Sequence, residues 1–198
     1  YPGEVHALLG DNGAGKSTLA RAIMALVPSR GEIALDGRTV STLRRPDLAR
    51  QIAYLPQGQT LHWPLTVERL VGLGRLPHLG PMSRLGDADA AAIETAILRA
   101  DVADLRHRVA TQLSGGERAR VMLARALAIE APALIADEPL ASLDPGHQID
   151  VMDLLRDQAR QGALVIAVLH DLNLAAHYCD ALVLLSGGRV LSAGDPET

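Results

Sequence analysis

The chain has 198 residues, a formal net charge of −4 and a single cysteine. Its length suits one domain of ordinary size. A net negative charge argues against a nucleic-acid-binding surface, because neutralising a phosphate backbone requires a basic patch. One cysteine excludes an internal disulfide framework, and no apolar run reaches the roughly 18–20 residues that a transmembrane helix needs.

Aliphatic runs that alternate with helical patterns predict an α/β fold, with a mainly parallel sheet flanked by helices. The predicted strands are EVHALLG, QIAYLPQ, APALIADEP, ALVIAVLHD and ALVLLSGG. The predicted helices are GKSTLARAIMALV, DADAAAIETAILRA, GERARVMLARALAIE and HQIDVMDLLRDQARQ. Glycine turns in GEIALDGRTVS and LLSGGRVLSAG predict two further strand hairpins.

The stretch GDNGAGKST fits the pattern G-x-x-x-x-G-K-[ST] between a predicted strand and a predicted helix, the context in which this pattern binds phosphates. Glycines let backbone amides wrap the phosphates, Lys16 reaches the β- and γ-phosphates, and Ser17 offers its hydroxyl to Mg²⁺. A chance glycine turn is the alternative. The predicted nucleotide-binding residues are Gly10, Asp11, Asn12, Gly13, Ala14, Gly15, Lys16, Ser17 and Thr18.

The predicted strand IAYLPQ ends in Gln57, whose side-chain amide can contact Mg²⁺ or an attacking water. A single glutamine at the end of a strand does not by itself predict a function. The stretch from about Gln57 to Leu113 has a different sequence pattern. Prolines and glycines come first, a helical pattern follows, and there is no strand-like aliphatic run. We interpret this stretch as a helical insertion between two sheet-forming halves.

The stretch LSGGERARVMLARAL predicts a helix that begins with two glycines. Ser114 and Glu117 have the spacing of a capping box. Gly115 and Gly116 each cost about 1 kcal/mol relative to alanine in such a helix. A plain capped helix start is one interpretation. The glycine pair favours another, in which an anion approaches the bare backbone at the helix N-terminus.

The predicted strand ALIADEP ends in two adjacent acids, Asp137 and Glu138. A solvated strand end is one interpretation. Beside a phosphate loop, however, Asp137 becomes the Mg²⁺-directed acid of a nucleotide hydrolase. Glu138 can then polarise a water for in-line attack on the γ-phosphate.

The predicted strand VIAVLHD delivers His170 to its carboxyl end, where a lone histidine is often structural. Its placement is informative, because Gly10, Gln57, Asp137 and His170 each follow the carboxyl end of a predicted parallel strand. Ligands of open α/β sheets bind in the crevice outside those ends. Four strands therefore deliver phosphate-handling groups to one edge.

Together these motifs resemble the nucleotide-binding subunits of ABC transporters. GDNGAGKST is similar to their Walker A motif, LPQ to the Q-loop, LSGGE to the signature motif, LIADEP to Walker B, SLDP to the D-loop and LHD to the switch histidine. The motifs occur in the family's order over essentially the whole chain. TVERLVGLGRLPH and HDLNLAAHYCD further resemble the ATPases of importers for iron-siderophores, haem and vitamin B12.

The resemblance implies a P-loop NTPase fold in a single domain, residues 1–198. A RecA-like core would comprise residues 1–57 and 126–198, and a helical subdomain with the signature motif would comprise residues 58–125. In this family the aromatic residue that stacks on adenine precedes Walker A. We therefore expect that N-terminal antiparallel strands are missing, that the chain is truncated at both ends, and that the adenine contacts lie outside it.

The resemblance also implies that ATP and Mg²⁺ are bound between two such domains paired head to tail. Glu138, His170 and Gln57 would be catalytic, while Ser17, Gln57 and Asp137 would bind the metal. Ser114, Gly115 and Gly116 of one copy would cap the γ-phosphate held by Lys16 of the other. Asp144 would lie along the same seam, although a turn aspartate before Pro145 is equally consistent with the sequence.

The implied function is ATP hydrolysis that drives an importer of an iron complex or cobalamin at the cytoplasmic face of the inner membrane. The implied partners are a second, identical ATPase subunit, transmembrane permease subunits and, indirectly, a periplasmic or extracellular solute-binding protein; no nucleic acid is expected. The coupling surface would run from Gln57 to about Pro81. One alternative is a soluble ABC-type ATPase that acts on ribosomes or DNA. Another, a nucleotide-binding module without turnover, is disfavoured by Glu138 and His170.

Overall fold

A six-stranded sheet is the centre of the computed structural model, which describes residues 1–58, 61 and 63–196. Its strands are β1 (Val5–Leu9), β4 (Ile52–Leu55), β5 (Ala133–Asp137), β6 (Leu164–Val168), β7 (Ala181–Ser186) and β8 (Arg189–Gly194). A separate hairpin is formed by β2 (Ala34–Leu35) and β3 (Arg38–Thr39). All the strands and both hairpins that the sequence predicts are therefore confirmed.

The order of the strands across the sheet is β4-β5-β6-β1-β7-β8. All neighbouring strands are parallel except β7 and β8, which are antiparallel. β5 is buried along its whole length, as expected of a strand covered on both faces. The prediction of a mainly parallel sheet is confirmed, and its parallel strands end at the same edge.

Seven α-helices lie in the described part of the chain, and buried side chains form a hydrophobic cluster on each face of the sheet. One cluster includes Ala20, Met24 and Leu48, and the other includes Met122 and Leu155. The helices are α1 (Lys16–Ile23), α2 (Arg45–Gln51), α3 (Val67–Gly72), α4 (Asp87–Arg99), α5 (Gly115–Leu127), α6 (Pro145–Arg160) and α7 (Leu172–Tyr178). None of them is both long and apolar enough to span a bilayer.

Some predicted helix and strand boundaries were wrong. The first predicted helix ends at Ile23 rather than continuing to Val27, because Ala25 adopts a left-handed backbone with φ +50°. Gln51 ends α2 instead of opening a strand. The sequence pattern did not reveal α2, because Leu48 is its one buried residue and gives no helical periodicity.

The helical insertion is confirmed, and a buried arginine fastens it to the end of α5. Arg75 lies in the 3₁₀ segment Leu73–His78 and is 5% exposed. Its guanidinium donates to Asp89 at 2.9 Å, to Glu130 at 2.8 Å and to the Ala128 carbonyl at 2.7 Å. Helices α3, α4 and α5 also pack against one another. The insertion therefore fixes α5 and, with it, the glycine pair at its start.

Candidate active site

The loop between β1 and α1 has the backbone that its glycines predict. Gly10, Gly13 and Gly15 have φ values of +138°, +84° and +100°, which other residues rarely adopt. Gly10 also approaches β7 closely, because a Cβ atom there would lie 2.0 Å from the Leu185 carbonyl oxygen. The glycine pattern is thus a steric requirement of this loop.

Lys16 opens α1 and is nearly buried beneath the loop. Its Nζ donates to the carbonyl of Gly10 at 2.7 Å and to that of Asp11 at 3.0 Å. A cavity of about 150 Å³ lies over the loop. It is lined by Asn12, Gly13, Gly15, Lys16, Ser17, Thr18 and Glu138. The structure therefore gathers most of the predicted phosphate contacts, and one predicted catalytic acid, around a single cavity.

Asp137 ends β5 and is 1% exposed. Its Oδ1 accepts a hydrogen bond from the Ser17 hydroxyl at 2.7 Å, and its Oδ2 accepts one from the Tyr54 hydroxyl at 3.1 Å. Burial raises the pKa of Tyr54, so the phenol stays protonated and can donate. Sequence reasoning missed Tyr54; the available signal was a lone phenol in an aliphatic strand, three residues before Gln57.

The Ser17 and Asp137 pair fits a magnesium ion. Both residues offer oxygen atoms, the ligands that Mg²⁺ prefers. Within the described residues, the two hydrogen bonds to the buried carboxylate come from uncharged hydroxyl groups, which do not offset its negative charge. Gln57, the third predicted ligand, instead donates to Glu138 at 2.5 Å. The structure thus joins two of the three predicted metal ligands directly.

Glu138 lies at the centre of the three predicted catalytic residues. One carboxylate oxygen accepts from Gln57 Nε2, and the other lies 2.9 Å from His170 Nε2. The Glu138 side chain is 15% exposed, whereas that of His170 is 45% exposed. Glu138 also has φ +52°, a conformation that costs a non-glycine residue about 1 kcal/mol or more and is frequent at functional sites. The sheet therefore delivers an acid, an amide and an imidazole to one point.

The capping box at the start of α5 is confirmed. The Glu117 amide donates to Ser114 Oγ at 3.3 Å, and the Ser114 amide donates to Glu117 Oε2 at 2.8 Å. This second bond and the nearby Arg108 lower the pKa of Glu117. Gly115 lines a different cavity, of about 310 Å³, which Glu138 also borders. Within one chain, the signature motif (LSGGE, residues 113–117) and the phosphate loop therefore line separate cavities.

The two glycines of α5 differ in their surroundings. A Cβ atom on Gly116 would lie 1.4 Å from Cδ2 of His147, whereas the nearest atom to one on Gly115 would be the Ser142 carbonyl oxygen at 3.9 Å. A side chain at position 116 would thus force the His147 ring on α6 to move. Packing against His147 is therefore a second reason for glycine at position 116, and the sequence did not reveal it because a contact between residues 116 and 147 leaves no local signal.

Asp144 is the N-cap of α6. Its Oδ1 accepts a hydrogen bond from the His147 amide at 3.1 Å and lies 3.4 Å from His147 Nδ1. Its side chain is 65% exposed. Within one chain, Asp144 is therefore a capping aspartate before Pro145. Its contribution to nucleotide binding across a dimer stays a prediction.

Known proteins resemble this chain over nearly its whole length. The family model described as ABC transporter matches residues 1–141. The hemin import ATP-binding protein HmuV of Streptomyces coelicolor is 49% identical over 195 residues, which are 98% of this chain and 69% of that protein. The cobalamin import ATP-binding protein BtuD of Halobacterium salinarum is 45% identical over 199 residues, which are 99% of this chain and 49% of that protein.

One solved structure of similar fold is a dimer. It is an ATP-binding cassette in a dimeric post-hydrolysis state, bound to ADP and Pi. Its TM-score to this chain is 0.82 at 28% identity, and the match covers 98% of this chain and 86% of that one.

We predict that Gly116→Ala lowers the free energy of unfolding by about 2 kcal/mol, because the added methyl group overlaps the His147 ring. Urea denaturation measures this. Gly115→Ala is the matched control: it should be neutral or stabilising by up to about 1 kcal/mol, because its Cβ is unobstructed and alanine favours helix. Adding His147→Ala should recover part of the loss. Equal stabilities of the two single variants would contradict this account.

Proposed function

Because this chain belongs to the ABC transporter family, we propose that it is the ATP-hydrolysing subunit of an importer, and that the solute is haem, an iron-siderophore or cobalamin. The observation that carries the proposal is the convergence of Gln57, Glu138 and His170 beside the phosphate loop. The names of the hemin-import and cobalamin-import relatives support this class of solute. They also disfavour a soluble ATPase that acts on ribosomes or DNA.

The phosphate loop binds the triphosphate. Backbone amides of the glycine loop and of the N-terminus of α1 donate to phosphate oxygens. Lys16, whose Nζ donates to the carbonyls of Gly10 and Asp11, reaches the β- and γ-phosphates when ATP binds. Exchanging neutral carbonyl acceptors for charged phosphates strengthens its hydrogen bonds.

Ser17 and Asp137 would hold the magnesium ion, and Gln57 is the third predicted ligand. When bound, Mg²⁺ neutralises charge on the β- and γ-phosphates and polarises the γ-phosphoryl group. Asp137 stays fixed during turnover, because it is buried and hydrogen-bonded through both oxygens.

Glu138 is the proposed general base for hydrolysis. Its carboxylate accepts a proton from a water whose oxygen forms a bond to the γ-phosphorus, while the bond from that phosphorus to the β–γ bridging oxygen breaks and ADP leaves. Gln57 orients the water. His170 lies against the other carboxylate oxygen and keeps Glu138 in place.

Two copies of the chain are proposed to enclose each ATP. Ser114, Gly115 and Gly116 of one copy bind the γ-phosphate held by Lys16 of the other, with Asp144 along the seam. The separate cavities of the phosphate loop and the signature motif support this arrangement, as does the dimeric, ADP- and Pi-bound cassette of similar fold. The N-terminus of α5 carries unpaired amides and a positive dipole end, both of which favour an anion.

The remaining assignments concern assembly. We propose a homodimer at the cytoplasmic face of the inner membrane, attached through permease subunits that receive solute from a binding protein. Residues 1–57 and 126–198 would form the core, and residues 58–125 the helical subdomain. The coupling surface would run from Gln57 to about Pro81; Gln59, Thr60 and His62 lie outside the described residues. Trp63, which is 72% exposed, is an apolar anchor for such a contact.

We predict that Glu138→Gln keeps ATP binding but slows hydrolysis at least about 100-fold, because glutamine cannot accept the proton of the attacking water. The variant should accumulate as an ATP-bound dimer, measured by phosphate release and by sedimentation with ATP. Glu94→Gln is the control, since this exposed acid lies on α4 and should leave both measurements unchanged. Near-normal hydrolysis by Glu138→Gln would remove Glu138 from the role of base.

We predict that Ser114→Arg blocks ATP-dependent dimerisation in the Glu138→Gln background, because its bulk fills the space of the partner's γ-phosphate. Binding of a fluorescent ATP analogue to the monomer should stay within about twofold, since the phosphate loop is unchanged. Ser83→Arg, an exposed serine before α4, is the control for an added arginine.

Ser114→Asp separates this effect from loss of the helix cap. Aspartate caps as well as serine but repels a phosphate. This variant should therefore also remain monomeric with ATP. Dimerisation of Ser114→Asp at the wild-type ATP concentration would show that the signature motif does not face a γ-phosphate.

A further inference from the structure

The hydroxyl of Tyr54 forms a hydrogen bond that the steps above do not use. It donates to Oδ2 of Asp137, while Ser17 donates to Oδ1. Tyr54 lies on β4, which leads to Gln57, and Asp137 ends the adjacent β5. Arg21, on the helix that begins with Lys16, lies near the Tyr54 phenol and opposes the rise in its pKa. Through the Asp137 carboxylate, the hydroxyl groups of Tyr54 and Ser17 connect the three elements that carry Lys16, Gln57 and Asp137.

The orientation of an aspartate carboxylate is intrinsically loose. Its terminal torsion connects an sp³ carbon to an sp² carbon, for which no staggered well defines the angle. A hydrogen bond to Oδ1 alone leaves the second oxygen free to rotate around that contact. Two donors on opposite oxygens fix the plane of the carboxylate. A buried acceptor that loses its donor also becomes costly, which favours rotation away from the observed orientation.

We propose that Tyr54 is a positioning residue that holds the carboxylate of Asp137 in the orientation for binding Mg²⁺. This inference rests on the proposed function, because it assigns Asp137 to the metal. The tyrosine does not contact nucleotide or metal itself. Hydrogen-bonded neighbours of metal ligands commonly act in this way, and their loss weakens metal binding by about 10–100-fold.

The test compares nucleotide binding with and without magnesium in the Tyr54→Phe variant. Phenylalanine keeps the ring and removes only the hydroxyl group. Affinity for a fluorescent ATP analogue in EDTA should match that of the wild type, because the phosphate loop is intact. The Mg²⁺ concentration that gives the half-maximal gain in affinity should rise about tenfold. These are binding measurements and require no turnover.

Tyr178→Phe is the matched control. Tyr178 is also buried and lies near an aspartate, Asp153, and burial together with that aspartate raises the pKa of Tyr178, but it lies on α7. Its variant should titrate with Mg²⁺ like the wild type. If the wild type gains no affinity from Mg²⁺, the proposed function fails together with the inference. If the wild type gains affinity and Tyr54→Phe follows the same curve, the inference alone is wrong.

A second measurement needs no substitution at Tyr54, in case that variant does not fold. The chain has three tyrosines, Tyr1, Tyr54 and Tyr178, so labelling with 3-fluorotyrosine gives three fluorine resonances. Tyr1→Phe and Tyr178→Phe assign the other two signals. Adding Mg²⁺ to the nucleotide-bound chain should shift the Tyr54 resonance and leave the Tyr178 resonance in place. A Tyr54 resonance that moves no more than that of Tyr178 would overturn the proposal.

Discussion

Parallel pairing of β4, β5, β6 and β1 is the constraint on which the site depends. Leu55 pairs with Ala136, Asp137 with Val168, and Val168 with Leu8. These strands therefore end at nearly the same level, and the residues that follow them meet at one edge of the sheet. Aliphatic side chains on both faces fix this register, so the catalytic groups are held by the hydrophobic core beneath them.

The parts of the fold and site that the sequence predicted are those with local signals. A short sequence pattern of a few residues predicts each of three features: the phosphate loop, the capping box of Ser114 and Glu117, and the buried strand that ends at Asp137. The contacts of Tyr54 with Asp137 and of Gly116 with His147 join residues far apart in the chain. Local sequence patterns cannot predict these contacts, because they form only when the strands and helices pack together. Helix α2 was missed because its single buried side chain leaves no periodicity.

The proposed head-to-tail dimer follows from one phosphate loop and a second predicted anion site, at the start of α5. In that dimer each copy would supply the site that the other lacks. In this proposed arrangement both copies would contact the γ-phosphate, so the closed state would depend on it and hydrolysis would remove the group that holds the copies together. The difference between the two glycines of α5 fits this arrangement. Gly116 packs against His147 within the chain, whereas the space around Gly115 is open, as the proposed contact with a partner's ligand requires.

The most direct test of this shared site mixes two inactive variants. Lys16→Ala removes the phosphate grip of one copy, and Ser114→Arg removes the cap of the other. In a mixed dimer, the intact Lys16 of one chain faces the intact Ser114 of its partner, so one complete site is rebuilt. Phosphate release by the mixture should therefore clearly exceed the sum of the two separate rates. A rate equal to that sum would contradict the account, because each copy would then be acting alone.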